Sequence, residues 1–401
     1  MTAPVQTAPA GTVERKNGDQ PVMLRPFRIG AQEVDDNVYD ETKTLTASAQ
    51  QMPQYNVPAT AFIRAFYILV ENTVTSSTAT ATGTGAVGVL KADGPYVLFE
   101  SFQLTDTNGN EIIGPVTGYD LHIIDKWGGY CFNDDAGEAN ADLFTSTSNA
   151  TASSSASGSF SFTLRVPVEL VPRDALGALP NKSASTPFKI KYQVAAIGSI
   201  FESASTVGGS CRVRIMPDSY WEPTPTDGSG NPVAGEPPGV NTTQYWNVTP
   251  YERSAGNFTI QLLNSVGYPV RNLGFLLELT SDGSRATGET DFPDLFQLQL
   301  QSNLIINRLK KIWKRKITEW YGYTIAGDLA GQKDNGLYWQ PYNNDFSQKP
   351  GWESRRGYLR TTDGMRLEMK GTIGGSNNHT FTVYTNYVGV GAGSTLARLT
   401  T

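Results

Sequence analysis

The chain has 401 residues, of which 17% are charged, with a net charge of −6, two histidines and two cysteines. A surface that grips nucleic acid needs clustered cations to neutralise phosphates, so this balance argues against nucleic-acid binding as the main task. Two histidines leave little for imidazole catalysis or metal ligation, and neither cysteine sits in a C-x-x-C pair.

Residues 1–55 are polar, weakly patterned and rich in Ala, Thr, Gln and Pro. They read as an extended N-terminal arm, either disordered or ordered by a neighbour. AFIRAFYILVEN, from Ala61, then reads as a strand buried in a sandwich, followed by a Thr/Ala/Gly loop. YVLFESFQL and EIIGPV flank Asp106–Asn110, whose Asn-Gly marks a hairpin because glycine tolerates a positive φ. GYDLHIID reads as one more strand, and residues 132–158 as a long exposed loop. Phe160, Phe162, Leu164, Val166 and Val168 alternate along one strand face, as do Phe188, Ile190, Tyr192 and Val194 along another. CRVRIM repeats the pattern. Pro and Gly then crowd EPTPTDGSGNPVAGEPPG, which cannot hold a regular element and marks a domain boundary.

The second half resumes with FTIQLL, an apolar run at Leu273–Leu279, and FQLQLQ. A helix is expected next, capped by Ser302 or Asn303. Ile305, Leu309, Ile312, Trp313, Ile317 and Trp320 fall on one side of it at helical spacing. GYLRTTDGMRLEMK reads as a hairpin about Asp363-Gly364 with Met365, Leu367 and Met369 inward, and HTFTVYTNYVGV as the last strand. The expected fold is all-β: two tandem β-sandwiches of about eight strands each, jelly rolls among the candidates, with a few short helices and one longer amphipathic helix. The expected divisions are an arm at 1–55, a first roll at 56–220, a linker at 221–241 and a second roll at 242–401.

Chemistry-bearing motifs are few. Gly83-Thr-Gly85-Ala-Val-Gly88 matches a dinucleotide fingerprint but lacks a βαβ unit around it. Asp106–Asn110 lacks the sixth-position glycine and twelfth-position acid of a calcium loop. Asp134-Asp135 reads as a solvated loop tip, His122 as a packed or edge imidazole and His379 as a loop imidazole. Cys131 and Cys211 read as buried, reduced thiols. No catalytic residue, cofactor or metal site is expected. The strongest local signal is cationic: Arg308, Lys310, Lys311, Lys314, Arg315 and Lys316 on the expected helix. It reads either as a solvated face or as a contact with an acidic neighbouring subunit or anionic lipid.

Several stretches carry a family resemblance. YVLFESFQLTDTNGNEIIGPVTGYDLHIID, RVPVELVPRDALGALPNKSASTPFKIKYQV, FTIQLLNSVGYPVRNLGFLL and GLYWQPYNNDF follow one another as in the major capsid proteins of tailless phages with an internal membrane, the tectivirus-like group. The small-polar tail GSTLARLTT is also similar. The resemblance spans about residues 55–401 and is one of order and pattern, with no catalytic signature. It implies a double jelly roll, a homotrimer acting as a pseudo-hexagonal tile, and trimer–trimer contacts in an icosahedral shell around a lipid vesicle. The implied partners are minor capsid, vertex and membrane proteins, with peripheral contact to the internal lipid membrane and no sequence-specific nucleic acid. The implied location is the virion capsid.

The N-terminus lacks a basic stretch leading into an apolar one, and no run nears the ~20 apolar residues of a membrane span. Synthesis in the host cytoplasm is therefore expected. Two other readings compete. A carbohydrate- or receptor-binding β-sandwich would use the seven Trp and eighteen Tyr for stacking and would bind glycans as isolated protein. A β-sandwich hydrolase would lose activity on removal of one acid.

Overall fold

The computed structural model describes residues 12–13, 22–25, 27–35, 38–59, 62–76, 94–128, 145–148, 156–172, 175–200, 207–222, 234–235, 243–262, 267–322, 334–343 and 357–389. Cys131, Asp134-Asp135, the Gly83–Gly88 motif and the C-terminal tail lie outside them.

The first half is a two-layer sandwich. In one layer the Phe62–Ser76 strand lies between Ala156–Pro167 and Val207–Tyr220, antiparallel to both. The register puts Val70 between Phe162 and Val213, and Ile68 between Leu164 and Ile215. All six are buried, because period-2 alternation sends the same parity inward on every strand. The facing layer pairs Lys189–Val194 with Phe99–Thr105, and Phe99–Thr105 with Glu111–Val116. Aromatic rings close the gap between layers: Tyr96–Phe162 at 5.1 Å, Phe66–Phe188 at 6.2 Å and Phe99–Phe162 at 6.3 Å between centroids. The Asp106–Asn110 turn forms as expected. Gly109 has φ 84°, and Asp106 Oδ1 accepts from the backbone of Asn108 and Asn110, both at 2.8 Å.

The second half is built on Thr243–Gln261 and Leu367–Gly389, a long antiparallel pair. Val270–Leu279 pairs with Leu367–Gly389 on one side and Leu337–Pro341 on the other. Phe296–Leu300 extends the sheet at Leu298↔Met369. Among the described residues one backbone register, Trp246↔Ile113, joins the halves. Side chains do the rest. Trp127 of the first half stacks on Trp339 at 6.0 Å, Trp246 lies 6.1 Å from Trp339, and one continuous apolar core crosses the seam. Fully burying each such side chain contributes about 1.5–3 kcal/mol.

Several expectations need correction. Gly118–Ile123, read as a strand, is a helix that continues into a single wide turn at Ile124–Gly128. The cause is a reciprocal capping box: Thr117 Oγ1 accepts from Asp120 N at 3.2 Å, and Asp120 Oδ2 accepts from Thr117 N at 2.9 Å. His122 therefore sits on a helix, buried, and stacks on Tyr96 at 4.0 Å. Much of the arm is part of the body. Glu33–Asp35 and Tyr39–Thr44 pair with Val207–Tyr220, while Gln50–Gln51 and Tyr55–Asn56 pair with Lys189–Val194. The polar alternation of Tyr39–Thr44 suits an edge strand, which needs only one buried side.

The expected loop at 132–158 contains Thr145–Ser148, which pairs with Ala156–Pro167. Within the Pro/Gly linker, Ala234–Gly235 pairs with Val22–Arg25. The Asp363-Gly364 turn is present, with Gly364 at φ 82°. Only an isolated bridge, Val270↔Leu359, precedes it, so it closes no hairpin, and Met365 is only half-buried. Cys211 is a buried free thiol, and burial pushes its pKa up to about 12.

Candidate functional site

The cationic cluster lies on two elements, where one helix was expected. Gln301 and Ser302 have φ 50° and 68° and form the turn of a hairpin; they do not cap a helix. Asn303–Arg308 is a strand antiparallel to Phe296–Leu300, with buried Ile306 opposite buried Leu298. The helix runs Lys310–Tyr321. Its first turn is capped from elsewhere, by Asp294 Oδ1 accepting from Lys310 N at 3.1 Å. Gly322, at φ 64°, ends it.

Trp313 and Ile317 anchor the helix. Both are fully buried, and Trp313 Nε1 donates to Trp339 O at 2.9 Å. Leu309 and Ile312, expected on the same buried side, are 45% and 50% exposed. Leu295 and Leu304 on the adjoining hairpin are exposed as well.

The six cations divide. Arg308 is wedged between the rings of Trp313 (5.7 Å) and Trp320 (5.3 Å) and donates to Gln340 Oε1; burial lowers its pKa. Lys310 donates to the carbonyls of Glu289 (3.2 Å) and Thr290 (2.9 Å), near the C-terminal end of the Arg285–Asp291 helix. Lys314 meets Glu289 Oε2 at 3.1 Å and Leu337 O at 3.0 Å, above the Tyr338 ring. Glu289 also accepts from Tyr338 OH at 2.6 Å and Gly336 N at 2.7 Å. These three cations are internal fixtures. Lys311, Arg315 and Lys316 face outward or partly so. Arg315 pairs with Glu319 one turn on at 3.0 Å, and Lys316 lies 5.8 Å from the Trp320 ring centre. Lys311 has no ion-pair partner among the described residues.

Two clefts open along the seam between the halves, with Pro115, Val116 and Val248 lining both. One, of about 360 Å³, is walled by Tyr245, Tyr387 and Tyr268, stacked at 5.4 and 5.3 Å. The other, of about 440 Å³, is lined by Glu100, Asp120 and Glu278 among apolar side chains, with no Lys, Arg or His. Burial, together with Asp120, pushes Glu278 up to about 7, and burial raises Asp120 despite hydrogen bonds from Tyr384 and Thr117.

His379 is not in a loop. It lies on the Leu367–Gly389 strand, fully buried, with Nε2 at 3.0 Å from Asp291 Oδ2 and Nδ1 at 3.1 Å from Asn377 O. It ties the Arg285–Asp291 helix to that strand. Among the described residues no group of three or more His, Cys, Asp and Glu side chains is arranged to hold a metal ion. None of their helices is long and apolar enough to cross a membrane.

No family model and no curated protein matches the sequence. The structure is similar to the crystal structure of the STIV MCP, with a TM-score of 0.54 and 15% identity over 88% of this chain and 97% of that one. It also resembles the Faustovirus major capsid protein (TM-score 0.49, 8% identity, 88% and 90% covered). The third is the major capsid protein P2 of bacteriophage PM2 (TM-score 0.48, 10% identity, 91% and 100% covered). The chain has the double jelly-roll fold.

Proposed function

We propose that this chain is the major capsid protein of an icosahedral virus with an internal membrane, and that it acts by assembling with copies of itself. The observation that carries this reading is the end-to-end likeness of two joined jelly rolls to a capsid protein of the same build. Three copies would present six rolls as a pseudo-hexagonal tile, and tiles would pack side by side into a shell. In this reading 56–220 and 242–401 are the two rolls, 221–241 the link between them, and residues before 27 the arm that meets neighbours. Minor capsid, vertex and membrane proteins would complete the shell. Arg308, Lys310 and Lys314 would stiffen the second roll, leaving Lys311, Arg315 and Lys316 as the contact cations. The role is structural, with no reaction to catalyse.

Light scattering on the purified chain tests this. One copy is 43.5 kDa, so a stable species at three times that mass, about 130 kDa, is expected. A monomer at micromolar concentration would overturn the reading.

A further inference from the structure

The molecule carries two complementary surfaces with no residue in common. The first is the outer face of the Lys310–Tyr321 helix, where Ile312 is half exposed beside Lys311, Arg315 and Lys316. Leu295, Leu304 and Leu309 extend its apolar part, so four of the six exposed large apolar side chains among the described residues fall within 295–312. The second is the 440 Å³ seam cleft. Its walls are apolar at Val97, Val116, Val248 and Leu276, acidic at Glu100, Asp120 and Glu278, and free of any cation. The side chains of Glu278 and Glu100 make no hydrogen bond or ion pair among the described residues. An acidic cleft with apolar walls accepts an ammonium group on an apolar stem, and the helix face offers lysines beside an isoleucine.

Resting on the reading of the chain as a shell subunit, we infer that the outer face of this helix on one copy seats against the acidic seam cleft of a second copy. The contact is heterologous, helix to cleft, and so propagates around a ring or along a row of subunits. Charge complementarity selects a second copy over an anionic lipid surface: the helix face would suit lipid, but the cleft would be left without a counter-charge. Cations from a neighbour would also relieve the unfavourable pairing of Asp120 with Glu278.

The test uses the full chain and three variants at exposed positions: Lys311→Glu, Glu100→Lys and the two combined. Self-association is measured by sedimentation at low and high salt. Each single reversal is expected to weaken association about tenfold, and the combination to restore most of it, because the ion pair is rebuilt with opposite polarity. High salt should shrink all these differences. Singles that associate like the parent, or a combination weaker than either single, would overturn the inference while leaving the capsid reading intact. Binding of the parent to phosphatidylglycerol vesicles that is lost in Lys311→Glu, with self-association unchanged, would assign the helix to membrane and also overturn it. A parent chain that never associates would sink both readings.

Discussion

Lys126 and Asp334 form an ion pair across the seam, 208 residues apart in sequence and with side chains 1% and 5% exposed. Burial disfavours the charged form of Asp334, but Lys126 outweighs it with help from His122 and Lys314, so its pKa lies below the ordinary carboxylate value. Lys126→Met keeps the length of the side chain and removes the charge. A buried charge left without its partner costs about 3–5 kcal/mol. The lower end is expected here, because His122 and Lys314 still act on Asp334. The double variant Lys126→Met/Asp334→Asn removes both charges and should recover most of the loss. Urea unfolding followed by tryptophan fluorescence reads this locally, since Trp127 and Trp339 stack beside the pair. With the urea dependence of a chain this large, the single variant should lower the midpoint by about 1 M. The pH dependence has a fixed sign. A depressed carboxylate contributes stability that is present above its unfolded value, about 3.9, and lost as pH falls through the folded one. Lys126→Met should flatten that acid limb. An unmoved midpoint in the single variant, or a double variant as unstable as the single, would refute the reasoning.

Asp125, Glu278 and Asp218 are pushed up to about 7, 7 and 6, chiefly by burial, so between about pH 4 and 7 the folded state holds protons that the unfolded state releases. Thermal stability should therefore fall across that window as pH rises, and Asp125→Asn should reduce the slope in differential scanning fluorimetry. Gly274→Ala should cost about 1–3 kcal/mol in the same urea assay, because its Cβ would stand 2.2 Å from Trp339 Cζ3. Tyr220 OH donates to Glu169 Oε1 at 3.0 Å and accepts from Arg28 at 2.7 Å, fastening the segment around Phe27–Gly30. Tyr220→Phe should cost about 1–3 kcal/mol and speed proteolytic cleavage near Arg28, read by mass spectrometry of a limited digest.

The strands that could be read from the sequence are those in which one physical rule acts alone. Phe160 to Val168 alternate cleanly because one side meets the core and the other side does not. GYDLHIID misleads, since Leu121, Ile123 and Ile124 are all buried by tertiary packing and period-2 and period-3.6 patterns look alike over eight residues. Its true signal stood just upstream, in Thr117-x-x-Asp120. The second error has a similar root. Ile305, Leu309 and Ile312 fall at helical spacing by coincidence, while the turn of the hairpin before the helix uses Gln301 and Ser302 at positive φ, with no glycine to announce it. The cationic cluster could be seen, but its division could not. Which lysines turn inward depends on Glu289, Thr290 and the Leu337 carbonyl, all about twenty residues away in sequence. The acidic cleft was hidden altogether, because Glu100, Asp120 and Glu278 share no motif and meet only when the two halves join.

That joining uses little backbone pairing among the described residues. Among the described residues one parallel register carries the sheet across the seam, yet Arg271 is buried there, donating to Gly128 O at 3.2 Å and Asn386 Oδ1 at 3.0 Å, with the Lys126–Asp334 pair also buried across it. Tryptophans alone would hold the halves together while tolerating a range of angles, because apolar contact is non-directional. Hydrogen bonds and a buried ion pair are directional, and their desolvation is repaid only at one relative orientation of the rolls. A free-standing binding module has no need to fix the angle between two sandwiches so strictly. A tile whose edges must match its neighbours does, since an error in the angle within each subunit would accumulate across every contact in a closed shell.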